Sequence, residues 1–196
     1  DYLFAKTSQL LADLGPEAVN LQALTFERLV IGQITETQGS SAGKSQLDHY
    51  LDVVADKTAS LISASARYGA MISGADEKVM DALTKFGEEI GTVFQLADDI
   101  IDIASDTKES GKTPGTDLRE GVPTLVTLFI LESNDPADAE LKALLSAPIT
   151  DEIVVAETIL KLRNHSALKK SRDLVAKYGE SAQKHLALLP DGPAKS

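Results

Sequence analysis

Residues 94–102 read FQLADDIID, and their arrangement around a helix decides the fold class. Advance each residue by about 100° and set Asp98 at zero. Asp102 then lies near 40°, Gln95 near 60° and Asp99 near 100°. Ser105 and Asp106 extend the same stripe. Leu96, Val93, Ile100, Ile103, Ile101, Ala97, Ala104 and Phe94 fill the rest. A helix that is apolar over half its circumference or more is buried among other helices, so the narrow acidic stripe is expected to face an internal cleft. Three carboxylates within five residues repel one another, and burial raises the cost of their charge. Magnesium relieves both problems, because it takes oxygen ligands and commonly uses one or two carboxylates plus substrate phosphates. The competing reading is a solvated acidic face leading into the next loop.

Outward from this stretch the whole chain reads as helix. Apolar residues recur at spacings of three and four, with breaks at glycine, proline and asparagine. The pattern predicts helices over about 1–14, 16–38, 45–72, 76–104 and 123–132, and further helices to Pro190. Ser45 and Asp48 have capping-box spacing. Residues 105–121 read as a glycine-rich loop. The class is all-α, a helical bundle forming one domain over 1–196.

The chain has 196 residues, 43% hydrophobic and 25% charged, near the averages for globular chains. Its net charge of −11 argues against nucleic-acid binding, which needs Lys and Arg to neutralise phosphates. No apolar stretch approaches the roughly 20 residues of a membrane-spanning helix. Cysteine is absent, which excludes disulfides and thiolate metal sites and suits a cytoplasmic protein. The histidines His49, His165 and His185 have no metal-ligand spacing and read as surface residues.

On the helix after Ser45, a uniform 100° wheel puts Lys57 amid Tyr50, Val53, Val54, Leu61, Ala64 and Tyr68. Asp52, Asp56, Ser60, Ser63 and Arg67 lie opposite. A lysine on an apolar face needs an anion, from the protein or from a ligand. Thr58 adds a hydroxyl beside it, and Lys112 supplies a third cationic feature in the 105–121 loop. Gln33 and Thr37 share a side with Phe26 and Val30 and could reach an internal cleft, but the favoured reading of Gln33 is an ordinary core amide. Asp98 and Lys57 are expected to face one cleft, with Lys112 over it. Asp99, at the edge of the stripe, is expected to matter less than Asp98.

Together these motifs resemble the trans-isoprenyl diphosphate synthases. Phe94-Gln95 followed by Asp98-Asp99-x-x-Asp102 is similar to the family's second aspartate-rich motif. Lys57-Thr58 is similar to its Lys-Thr pair, and Gly111-Lys112 with Gly115-Thr116-Asp117 to its following loop. Gly32-Gln33 with Glu36 resembles a more variable motif. The resemblance implies an isoprenoid-synthase fold, a homodimer, and condensation of isopentenyl diphosphate with an allylic diphosphate to an all-trans polyprenyl diphosphate. It implies Mg2+ ligation by Asp98, with Asp99 and Asp102 acting directly or through water. Lys57 and Lys112 would bind the allylic diphosphate, and Thr58 and Gln95 would line the carbocation region. A terpene cyclase-like relative and a non-catalytic partner subunit of a heteromeric synthase are the alternatives. The family's first aspartate motif and its isopentenyl diphosphate site have no counterpart after Asp1. This segment alone is therefore expected to be inactive, with apolar faces uncovered around Phe26 and Val30.

Overall fold

The computed structural model describes residues 2–104, 113–192 and 195. Among them there is no strand, as the three- and four-residue periodicity requires. Helices α1 (Tyr2–Asp13), α2 (Pro16–Gln38), α3 (Gln46–Val54) and α4 (Ser60–Ile72) come first, with a single π-helical turn, Ala55–Ala59, joining α3 to α4. Helix α5 (Glu77–Ala104) carries the aspartate stripe. Helices α6 (Thr116–Glu120), α7 (Leu125–Leu131), α8 (Ala139–Leu145), α9 (Glu152–Asn164) and α10 (Ser166–His185) follow.

Local chemistry sets the ends. Pro16 fits the first turn of α2, where its missing N–H costs no hydrogen bond. The Ser45 hydroxyl accepts the Asp48 N–H at 2.9 Å, as the capping-box spacing predicts. Asp151 caps α9 by accepting from the Ile153 and Val154 amides. The expected 105–121 loop is only partly a loop, because α6 lies inside it. That short helix holds because Leu118 is buried and the Asp102 carboxylate accepts the Thr116 N–H at its start.

The chain packs as two compact units, each discontinuous in sequence. One takes Asp1–Ser40, Leu51–Thr92 and Tyr178–Ser196, and the other Ser41–Tyr50 and Val93–Lys177. Helix α5 contributes to both. The second unit has a core of branched aliphatics, with Ile103, Val126, Ile130, Val155 and Leu162 each at most 1% exposed. Truncating such a residue to alanine typically costs ~2–5 kcal/mol.

The first unit packs differently. Its buried residues are mostly small: Ala18, Ala59, Ala64, Ala70, Ala82 and Ala182. Small side chains let helix backbones approach closely. A Cβ added to Gly87 would lie 2.5 Å from Ser63 Cα, and one on Gly91 would lie 2.6 Å from Ala59 Cα. This corrects the helical wheel at Ser60 and Ser63, which are 2% and 3% exposed rather than solvent-facing. They are buried because α5 presents glycine opposite this side of α4. Large apolar side chains on α1 and α2 are exposed instead, Leu3, Phe4, Phe26 and Val30 among them. The Phe4 and Phe26 rings meet at 4.9 Å between centroids.

Candidate active site

In the second unit, the last three turns of α5 carry the acidic stripe. Asp98 is half-buried, and Asp99 and Asp102 are only 5% and 7% exposed. Leu96 and Ile103 fix this part of the helix in the core, while Phe94 and Ile101 stay exposed. The buried side of the helix is thus turned toward Asp99 and Asp102.

Asp99 is a hub. Its Oδ2 accepts hydrogen bonds from the Tyr50 hydroxyl and, at 3.0 Å, from the Leu125 N–H at the start of α7. Its Oδ1 accepts from Gln95 Nε2 at 3.3 Å. Burial pushes the Asp99 carboxyl up, these three hydrogen bonds pull it down, and the charge of Asp98 adds to the rise, leaving it above the usual carboxylate range. Burial, and next the Asp99 charge, raises Tyr50 in turn.

Asp102 draws the following loop back onto α5. Its carbonyl accepts the Gly115 N–H at 3.1 Å and its Oδ1 accepts the Thr116 N–H at 3.3 Å. Gly115 has φ +79°, and a Cβ there would lie 2.8 Å from Ile159 Cδ1. Glycine is required on both counts. Asp102 Oδ2 is buried without a hydrogen-bond partner among the described residues.

Asp117 completes the acidic group. Burial, and then the charges of Asp102, Asp99 and Asp98, push its carboxyl up to about 6. No metal-ligating set of three or more His, Cys, Asp or Glu side chains is present among the described residues. That is compatible with magnesium, which leaves most of its shell to water and phosphate. An orphaned buried carboxylate oxygen beside other carboxylates is a donor set for a hard cation, so these residues fit the metal.

The Asp117 shift predicts a pH effect. Its folded-state value of about 6 lies above the ordinary 3.8, so between these values the folded chain holds more protons than the unfolded one. The contribution of this group to stability falls as pH rises through that window. Asp117→Asn removes the ionising group. In urea unfolding without added metal, the variant should lose less stability than wild type between pH 4 and pH 6.

In the first unit, Lys57 and Thr58 sit on the π-helical turn. Lys57 is not buried in an apolar stripe as the uniform wheel predicts. It is half-exposed, and its Nζ pairs with Glu36 Oε2 at 2.6 Å. The π turn is wider than an α turn and rotates every later residue relative to that wheel. Thr58 is half-buried. Gln33 is exposed and donates to Glu36 at 2.9 Å, so it is no core amide, and Thr37 is also exposed. His165 and His185 are not free surface residues either. They pair with Asp138 at 2.9 Å and with Glu89 at 3.2 Å.

The structure therefore gathers Gln95, Asp98, Asp99 and Asp102 in one unit, and Lys57 and Thr58 with Glu36 in the other. Lys112 lies outside the described residues. Sequence reasoning missed Tyr50 and Asp117. Tyr50 gave no signal, since its apolar neighbours marked it as core. Asp117 was visible within the Gly115-Thr116-Asp117 motif.

The polyprenyl synthetase family model matches residues 1–162. The nonaprenyl diphosphate synthase of Mycobacterium tuberculosis is 48% identical over 195 residues, covering 100% of this chain and 58% of that protein. The heptaprenyl diphosphate synthase component 2 of Geobacillus stearothermophilus is 34% identical, covering 100% of this chain and 60% of that protein. Among solved structures, geranylgeranyl pyrophosphate synthase from Corynebacterium glutamicum, complexed with calcium and isoprenyl diphosphate, superposes with a TM-score of 0.89 at 40% identity. That match covers 98% of this chain and 60% of the solved one. This chain thus spans about three-fifths of the length of the relatives it matches. On the family match, the shared fold and the motifs that shape it, the chain belongs to the polyprenyl synthetase family.

Proposed function

We propose that the full-length protein is a prenyltransferase that condenses isopentenyl diphosphate with an allylic diphosphate, giving an all-trans polyprenyl diphosphate of geranylgeranyl length or longer. The observation that carries this reading is the orphaned Asp102 Oδ2. It lies beside Asp117, whose carboxyl is pushed up to about 6 by burial and then by the charges of Asp102, Asp99 and Asp98. Such a group calls for a cation, and a diphosphate substrate calls for the same cation.

Asp98 would hold magnesium directly, and Asp99 and Asp102 would act on it directly or through water. Magnesium, when bound, would neutralise the negative charge that develops on the departing diphosphate. Lys57 and Lys112 would bind diphosphate oxygens. Gln95 and Thr58 would direct oxygen dipoles at the allylic carbocation. Glu36 holds the Lys57 ammonium until a diphosphate competes for it. A homodimer is part of this reading, and the absence of cysteine suits the cytoplasm.

A heteromeric arrangement is the second reading, favoured by the likeness to two heptaprenyl diphosphate synthases named component 2. One assay separates the readings: the full-length protein, an allylic diphosphate and radiolabelled isopentenyl diphosphate, with and without candidate partner subunits. Labelled polyprenyl diphosphate from the protein alone is the expected result. Product only with a partner points to the heteromer. Cyclic hydrocarbon without label identifies a cyclase.

A further inference from the structure

The Lys57–Thr58 pair stands on a backbone feature that the rest of its helix lacks. Residues Ala55–Ala59 wind as one π turn, in which the Ser60 N–H reaches back five residues to the Ala55 carbonyl. Such turns are rare and concentrate at functional sites. An isolated helix would relax to the α form, so neighbouring elements must hold this one.

Two glycines grip it. Gly32 of α2 lies so close that an added Cβ would be 3.0 Å from both Asp56 Cβ and the Lys57 amide nitrogen. Gly91 of α5 does the same at Ala59, where the Cβ would fall 2.6 Å from Cα. A side chain at Gly91 would clash with the turn outright, and one at Gly32 would force it to give way.

Arg28 then ties the three elements together. Its Nε donates to Asp56 Oδ1 at 3.0 Å, its Nη1 to Glu88 Oε1 at 2.5 Å and its Nη2 to Glu88 Oε2 at 3.2 Å. Nη2 also donates to the Ala55 carbonyl at 3.2 Å, the same carbonyl that accepts the π hydrogen bond. The Asp56 carbonyl, next in the turn, takes the Ser60 hydroxyl at 2.6 Å. The first two carbonyls of the turn thus each have a side-chain donor. The guanidinium uses its forked donors on two carboxylates and a backbone oxygen at once, a geometry that lysine cannot reproduce.

We propose that Arg28, through Asp56, Glu88 and the Ala55 carbonyl, is a positioning residue that holds the π turn and so aims Lys57 and Thr58 at the substrate diphosphate. This rests on the proposed prenyltransferase reading. The Arg28 donors go to protein groups, namely Asp56, Glu88 and the Ala55 carbonyl. Its loss lets the turn relax and moves the Lys57 ammonium and the Thr58 hydroxyl together, without removing either.

The test uses full-length Arg28→Lys and Glu88→Gln variants, the second chosen because it keeps the shape of the side chain. For each, three quantities are compared with wild type: affinity for inorganic diphosphate with magnesium by calorimetry, steady-state constants for both substrates, and thermal midpoint. The expected result is a loss of about tenfold or more in diphosphate affinity and in kcat/KM for the allylic substrate. KM for isopentenyl diphosphate should stay within about twofold, and Glu88→Gln should unfold within a few degrees of wild type. Unchanged diphosphate affinity in both variants overturns the proposal. So does an equal loss for both substrates that tracks a lowered thermal midpoint, since that is a purely structural role. A wild-type protein that binds no magnesium diphosphate overturns the prenyltransferase reading itself, and this inference with it.

Discussion

Asp98→Ala in the full-length protein lowers the condensation rate by two or more orders of magnitude, equivalent to about 3 kcal/mol or more of transition-state stabilisation. Asp98 is the half-buried member of the acidic stripe, and the helix anchors lie on its neighbours Asp99 and Asp102. Its removal would take a carboxylate from the proposed metal site while leaving the anchors of α6 and α7 in place. The loss should appear in kcat. Single-turnover measurement of allylic diphosphate ionisation separates this chemistry from product release. A loss under about fivefold would mean that Asp98 is a solvated surface charge.

Asp99→Ala has its largest effect on stability. It strips the acceptor from the buried Leu125 amide and from the Tyr50 hydroxyl, and it releases Gln95. Each buried donor left unpaired costs about 1–3 kcal/mol. Relief of charge crowding with Asp98 offsets part of this. The expected net loss is about 3 kcal/mol, read as a lowered urea midpoint at constant m. Tyr50→Phe removes one of the three bonds and should cost less. Equal midpoints for wild type and Asp99→Ala would show that Asp99 anchors nothing. The wheel, which placed Asp99 at the edge of the stripe, saw only its angle. Its importance comes from what packs there.

This contrast marks what the sequence reveals. The helical class, the long α5 and the acidic stripe follow from periodicity and composition, because hydrophobic spacing and charge crowding are local facts. The break at Gly39–Ser45 and the cap at Ser45 are local as well. The π turn is not. It exists because Gly32, Gly91 and Arg28 arrive from distant parts of the chain, and a uniform wheel cannot register them. The same blind spot placed Lys57 in an apolar stripe, and it turned Ser60 and Ser63 toward solvent. Helix α6 escaped detection because five residues are too few to show periodicity. They are ordered by Asp102 and by burial of Leu118. Tyr50 could not be assigned a role from its neighbours, since its partner Asp99 lies 49 positions along the chain.

The central claim is that this acidic group works through a divalent cation on a diphosphate substrate. The most direct measurement is incorporation of labelled isopentenyl diphosphate by the full-length protein as free magnesium is titrated, beginning from the chelated enzyme. No product is expected under chelation, activity should recover as magnesium is restored, and the magnesium requirement should shift to higher concentration in Asp102→Asn. Polyprenyl diphosphate formed at undiminished rate with the metal chelated would contradict this claim.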